Sequence, residues 1–382
     1  MRNGYQIIDA DRHVNEPIEM WKAYLPPRYR ERAPRVELAP PSEALAARFA
    51  RRSSGRRLPG LVRVMLEGRS MFQNVSEYVE MEAAIAACEP TGHEESGSDA
   101  ASQLRAMDRD GVDIAILFPT LGLYLDTPDA GLTEALCSAY NAWIRDLASQ
   151  DRHRLRPAAV VPRVDPDRMV DSLEEIVRHG HRIVVLRPNP VHGRCLGHPA
   201  YDRFWGACEH HGITIALHEG THSGLPTAGA DRFTSRFALH ACSHPFEQMM
   251  ALLSLIEGGA LQRHPHLRVA LLESGCGWLP YWLWRLDEVE YKHHRGEIAD
   301  NVRMPPSEYF RRQCFVTVEP SEPHLPEVIG YLGEDRLLFG TDFPHMDHAA
   351  DLVEQALELH TRIPESSLRK LLGSNAALLF GV

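Results

Sequence analysis

The stretch Tyr5-Gln6-Ile7-Ile8-Asp9-Ala10-Asp11-Arg12-His13 sets a pattern that the rest of the chain repeats. Its first half, Tyr5–Ile8, is apolar and β-branched and reads as a short strand. Its second half carries three acids and bases that can bind ions. Side chains two apart on extended backbone point the same way. Asp9, Asp11 and His13 are therefore expected on one face, with the last two at the strand's C-terminal end.

Working outward, similar apolar runs recur at Asp113–Phe118, Leu155–Val161, Arg182–Leu186, Ile213–Leu217, Leu267–Leu272, Cys314–Val318 and Arg336–Phe339. Amphipathic stretches lie between them, at Leu132–Ala148, Asp167–Arg178, Tyr201–His211, Phe246–Ile256, Leu279–Tyr291 and Asp351–His360. Strands alternating with helices signal a parallel sheet, and about eight such strands predict a closed (β/α)8 TIM barrel rather than an open sheet. The 382 residues fit one barrel with insertions, so 1–382 is read as a single domain. The gap between the first two strands holds an insertion, 30–98, rich in Arg, Pro and Ser and then in Gly, Ser and Glu. It is expected to be partly helical and to form a lid over the site. A second insertion, 221–240, follows the fifth strand, and Ser374–Asn375 is expected to cap a last helix, Ala376–Phe380.

A net charge of −11 argues against nucleic acid and anionic membranes as partners, because both are held through Lys and Arg. The seven cysteines include no CxxC pair and are odd in number, which argues against a disulfide framework and for a cytoplasmic location. No apolar stretch approaches the roughly 18 residues of a membrane span. A small molecule is the expected partner.

The fifth strand ends in Leu217-His218-Glu219-Gly220 and the eighth in Phe339-Gly340-Thr341-Asp342-Phe343-Pro344-His345. Taken singly, each polar residue is equally a turn-former, a bonded core histidine or a helix cap. Three strand ends carrying ligand-type side chains to one barrel mouth are a stronger signal. Carboxylates and imidazoles together suit a divalent ion, Zn2+ first, with Mn2+ or Fe2+ as alternatives.

Four segments together resemble the amidohydrolase superfamily, in the branch that includes aminocarboxymuconate-semialdehyde decarboxylase. They are IIDADRHVNEP at 7–17, SQLRAMDRDGVDIAILFPT at 102–120, the long stretch from HPFEQ to RLDE at 244–288, and LLFGTDFPH at 337–345. The resemblance implies one metal held by Asp11, His13, His218 and Asp342, with Asp342 also shuttling protons, and a homodimer. One position departs. The decarboxylases carry His-Gly-Gly after strand 6, where this chain has Glu273-Ser274-Gly275. Glu273 could be a base, an outer partner or a further ligand, and His244 could supply the missing imidazole.

The leading expectation is therefore a hydrolase. A metal-activated water would attack an amide, ester or thioester carbonyl, acyl-CoA types included, with Asp342, His244 and Glu273 as catalytic residues. The alternative is non-oxidative decarboxylation of an aromatic or unsaturated acid, with Arg187 and His345 binding the substrate. A third reading is a catalytically inactive barrel that binds a ligand. Trp278, Tyr281, Trp282 and Trp284 read as core or dimer packing. Leu58, Leu61, Val62, Met65, Met71 and Phe72 of the insertion could cover a bulky ligand.

Overall fold

The computed structural model describes residues 2–43, 46–47, 50, 61–71, 97–220, 225–345 and 351–382. Leu58 and Phe72, most of the polar stretch 89–97 and the start of the second insertion lie outside the described residues.

Eight parallel strands form the barrel in chain order: β1 (Ile8–Val14), β5 (Ile114–Pro119), β6 (Leu155–Val160), β7 (Ile183–Leu186), β8 (Thr214–Leu217), β9 (Arg268–Leu271), β10 (Cys314–Val318) and β11 (Leu337–Phe339). Most are continuous apolar runs, buried along nearly their whole length. This is the signature of strands covered on both faces. Each connects to the next through at least one helix. The helices are placed by local signals: Asp99, Asp129 and Asp165 each accept a backbone N–H from the first turn.

The barrel closes at its mouth. Beyond the end of β11, the Asp342 N–H donates to Asp11 O at 2.7 Å, and the His13 N–H donates to Phe343 O at 2.7 Å. The two chains come so near that a Cβ on Gly340 would lie 2.5 Å from Asp11 Cβ. Glycine is required there by close approach.

Several sequence expectations are corrected. β1 runs on to Val14, beyond the apolar run Tyr5–Ile8, with Asp11 and His13 in its C-terminal half and His13 paired with Phe118. The register shifts between Asp9 and Arg12, a bulge that breaks the expected alternation. Asp9 consequently leaves the face of Asp11 and His13 and bonds instead to Arg12 and Thr341.

The first insertion holds an antiparallel sheet among its described residues: β2 (Arg35–Ala39), β3 (Leu61–Leu66) and β4 (Arg69–Ser70). Glu67 and Gly68, at φ 50° and 74°, make the tight hairpin turn.

The helix expected from Phe246 begins ten residues earlier and spans Arg236–Glu257, capped by Ser235. It therefore absorbs 236–240 of the second insertion. Ser374 makes no capping bond; Asn375 instead donates to Glu334 O and Leu337 O, tying the last helix to β11. In the aromatic cluster, Leu279 and Leu283 are the buried residues, whereas Tyr281 and Trp284 are exposed.

Candidate metal centre

Four side chains converge at the mouth. Asp11 and His13 come from β1, His218 follows β8, and Asp342 follows β11. All four are buried, and one ligand atom from each lies within 4.8 Å of the others. The backbone helps aim them. Asp342 sits at φ 51°, a left-handed conformation uncommon for a residue with a side chain.

Backbone carbonyls fix the imidazoles. His13 Nδ1 lies 2.9 Å from Pro119 O, and His218 Nδ1 lies 2.7 Å from Glu219 O. A carbonyl only accepts, so each Nδ1 carries the hydrogen and each Nε2 presents a lone pair. Those two Nε2 atoms face each other at 2.9 Å. Asp342 Oδ1 lies 3.2 Å from His13 Nε2, and Asp11 Oδ1 lies 3.4 Å from His218 Nε2. Asp11 Oδ1 is buried and has no hydrogen-bond donor among the described residues. Lone pairs meeting in a buried space are stable only around a positive charge. Two imidazoles and two carboxylates fit a divalent ion.

Burial alone would lower the His218 pKa, but Asp11 and its acidic neighbours outweigh it and push it up to about 9. Burial alone would raise Asp11, yet His218 and His13 hold it below its usual value. His13 is held down by burial and by the neighbouring histidines.

The surrounding residues hold this cluster in place. His345 has both ring nitrogens engaged, Nδ1 at 2.9 Å from Asp342 Oδ1 and Nε2 at 3.1 Å from Thr120 Oγ1. It buttresses Asp342 rather than presenting a bare edge to a ligand. Arg187 Nη2 binds Glu219, Asn189 Oδ1 and Gly220 O, while its Nε and Nη1 find no hydrogen-bond partner among the described residues. Tyr124 lies over this guanidinium, with its ring centre 5.2 Å away.

Glu273 stands at φ 49° just after β9, where its N–H donates to Thr317 Oγ1 at 2.9 Å. Its Oε2 lies 3.4 Å from His218 Nε2 and 3.2 Å from His244 Nε2. His244 is buried in the Arg236–Glu257 helix. Glu273 thus joins the four-residue cluster to a second group, His240 and His244.

Sequence reasoning passed over His240 and Glu219. The His240–His244 spacing of four was visible but lay outside the helix as read. Glu219 carried no signal, because only folding puts it against Arg187.

A cavity of about 260 Å³ reaches Tyr124, the ring that lies over Arg187, although none of the four cluster residues lines it. The β3–β4 hairpin contributes Leu66, Arg69 and Met71, and the turn after β5 contributes Leu123 and Tyr124.

Known proteins are similar to this chain in sequence and fold. A gamma-resorcylate decarboxylase of Polaromonas sp. is 26% identical over 294 residues, covering 73% of this chain and 86% of its own. The 2-amino-3-carboxymuconate-6-semialdehyde decarboxylase of Dictyostelium discoideum is 25% identical, covering 73% and 76%. Among solved structures, an amidohydrolase of Mycobacterium avium subsp. paratuberculosis superposes with a TM-score of 0.75 at 22% identity, over 99% of this chain and 100% of its own. A dihydroxybenzoic acid decarboxylase of Polaromonas sp., solved with bound manganese, gives 0.63 at 19% identity, over 99% and 97%.

These relatives overturn the leading expectation of an amide, ester or thioester hydrolase, because the curated ones are decarboxylases of organic acids. That expectation rested on Glu273 replacing a histidine. In three dimensions an imidazole, that of His244, stands beside Glu273 after all. The family's own sequence model matches residues 8–382, and the chain belongs to the amidohydrolase family.

Proposed function

We propose that this protein is a metal-dependent decarboxylase releasing CO2 from an aromatic or unsaturated carboxylic acid. The observation that carries the proposal is the similarity to decarboxylases over 73% of the chain. Asp11, His13, His218 and Asp342 would hold the ion, which when bound supplies Lewis-acid polarisation of the substrate's acid oxygens. Zn2+ suits this donor set, and Mn2+ is the ion bound in the Polaromonas decarboxylase.

The chain's own groups do the rest. Arg187 offers Nε and Nη1 to a substrate oxygen, its other nitrogen being held by Glu219. The cavity walls of Leu66, Met71, Leu123 and Tyr124 suit a flat, partly apolar ring. Asp342 delivers a proton to the ring or vinyl carbon as the bond to the carboxylate breaks, so that CO2 leaves and hydrogen takes its place. His345 positions Asp342 for that transfer. His244 and Glu273 flank the substrate's position on the His218 side.

The test is a panel of hydroxylated benzoic acids and unsaturated carboxylic acids, assayed with metal-loaded protein in D2O. CO2 release with one deuterium at the vacated carbon is expected for at least one acid. Metal-loaded protein that releases no CO2 from the panel would sink the proposal.

A further inference from the structure

We infer that His240, His244 and Glu273 form a second divalent-cation site beside the first. The inference rests on reading the four-residue cluster above as a metal centre.

His240 and His244 stand four apart on the Arg236–Glu257 helix, so their side chains share one face. Their ring centres lie 4.4 Å apart, with the planes tilted by 39°. Glu273 reaches the pair from the end of β9. One donor atom from each of the three lies within 4.8 Å of the others. Two imidazoles and a carboxylate are a donor set for Zn2+ and neighbouring divalent ions.

The hydrogen bonds around His244 point the same way. Ser243 Oγ lies 3.4 Å from His240 O and 3.0 Å from His244 Nδ1. A hydroxyl that gives its hydrogen to the carbonyl must accept from Nδ1–H. That leaves the His244 Nε2 lone pair aimed at Glu273 Oε2, 3.2 Å away. Either a proton or a metal ion can sit between two acceptors at that distance, and His240, its ring centre 4.4 Å from that of His244, adds the third donor that a metal ion would use. An outer hydrogen bond that fixes the tautomer of a ligating histidine is a recurrent feature of metal sites.

His244 is buried while His240 and Glu273 are half-buried, so the site is open on one side. Glu273 Oε2 also lies 3.4 Å from His218 Nε2, a member of the first cluster. The carboxylate therefore stands between the two groups, where it can serve both ions.

The experiment is metal analysis of the full chain after dialysis against buffered Zn2+ and, separately, Mn2+. It compares the wild type with His240→Gln and with His240→Gln/His244→Gln. Circular dichroism and thermal unfolding report whether each variant is folded. His240→Gln, at a half-exposed helical position, keeps the test informative if the double variant misfolds. Two equivalents in the wild type, falling to one in the folded variants, are expected. With Mn2+, the wild type should also give the electron paramagnetic resonance signature of two coupled ions, and the variants that of one. One equivalent in wild type and variants alike would overturn the second site while leaving the first intact; a proton then bridges His244 and Glu273. No bound metal in any of them would overturn both sites. A second equivalent that persists in the variants also counts against it, as adventitious binding elsewhere.

Discussion

Two buried polar groups sit side by side at the barrel mouth, and they are built on opposite principles. Asp9, Arg12, Gln103 and Thr341 form a charge-matched knot, in which Arg12 Nη2 has no hydrogen-bond partner among the described residues. Arg12 Nη1 donates to Asp9 Oδ2 at 3.1 Å, Arg12 Nε donates to Gln103 Oε1 at 2.8 Å, and the Thr341 N–H donates to Asp9 Oδ1 at 2.9 Å. The guanidinium stacks on Phe343, 4.0 Å from its ring centre. Positive charge is met by negative charge inside the protein. Two residues away, Asp11, His13, His218 and Asp342 bring lone pairs together with no cation of their own. The knot spends its charges on structure; the cluster leaves a deficit that a ligand must fill. Burial and charge alone would not tell the two apart. Complementarity does.

The largest effect is expected at Asp342. Asp342→Asn removes the proton donor and one ligand oxygen while keeping the side chain's shape. Turnover of any acid found in the panel should fall by about 10² to 10⁴-fold. Thermal unfolding should change little, because the cluster's charges contribute to function rather than to the fold. A variant with undiminished turnover would refute the role assigned to Asp342.

The reverse should hold in the knot. Asp9→Ala leaves Arg12 buried without its counter-charge, and stability should drop by about 3 to 5 kcal/mol, read by denaturant unfolding. Metal content of the folded fraction should stay near the wild-type level, since Asp9 meets the candidate ligands only at the Asp11 backbone N–H, 3.3 Å from its Oδ1. If Asp9→Ala lost metal before it lost stability, the division between knot and cluster would be wrong.

This division was half legible in the sequence. The eight strands could be read because barrel strands are buried on both faces and appear as continuous β-branched runs. The ligand-type residues at their ends followed from that reading. The bulge in β1 could not be read, because it is set by pairing with β5, a hundred residues on. Simple alternation therefore grouped Asp9 with Asp11 and His13, although the bulge turns it into the knot. The early start of the Arg236–Glu257 helix was hidden by Pro245 in its interior, a residue that normally marks a boundary. That misreading left His240 unconnected to His244. The hairpin at Leu61–Ser70 was masked by Arg63 and Arg69, which interrupt its apolar run.

Glu16 lies between the knot and the cluster in its charge balance. Its buried carboxyl accepts backbone N–H groups from Leu121 at 2.9 Å and Gly122 at 2.8 Å, holding the turn that leads to Tyr124, but no cation among the described residues pairs with it. Burial pushes its pKa up to about 7, against the pull of those N–H donors. The folded state therefore binds this proton more tightly than the unfolded chain, whose carboxyl has the ordinary value of 4.5. The stability it contributes is fully present below pH 4.5 and is lost as pH rises through about 7. Glu16→Gln, a neutral near-isostere, should match the wild type near pH 4.5 and show a shallower fall in stability up to pH 8. The difference across that window should be on the order of 1 to 3 kcal/mol, the smallest of the three effects. It is read from denaturant unfolding at a series of pH values. Parallel curves for the two proteins would mean that the N–H donors alone keep Glu16 ionised. A buried carboxylate would then need no cation where backbone N–H groups serve it, and only the missing donor at Asp11 Oδ1 would set that residue apart.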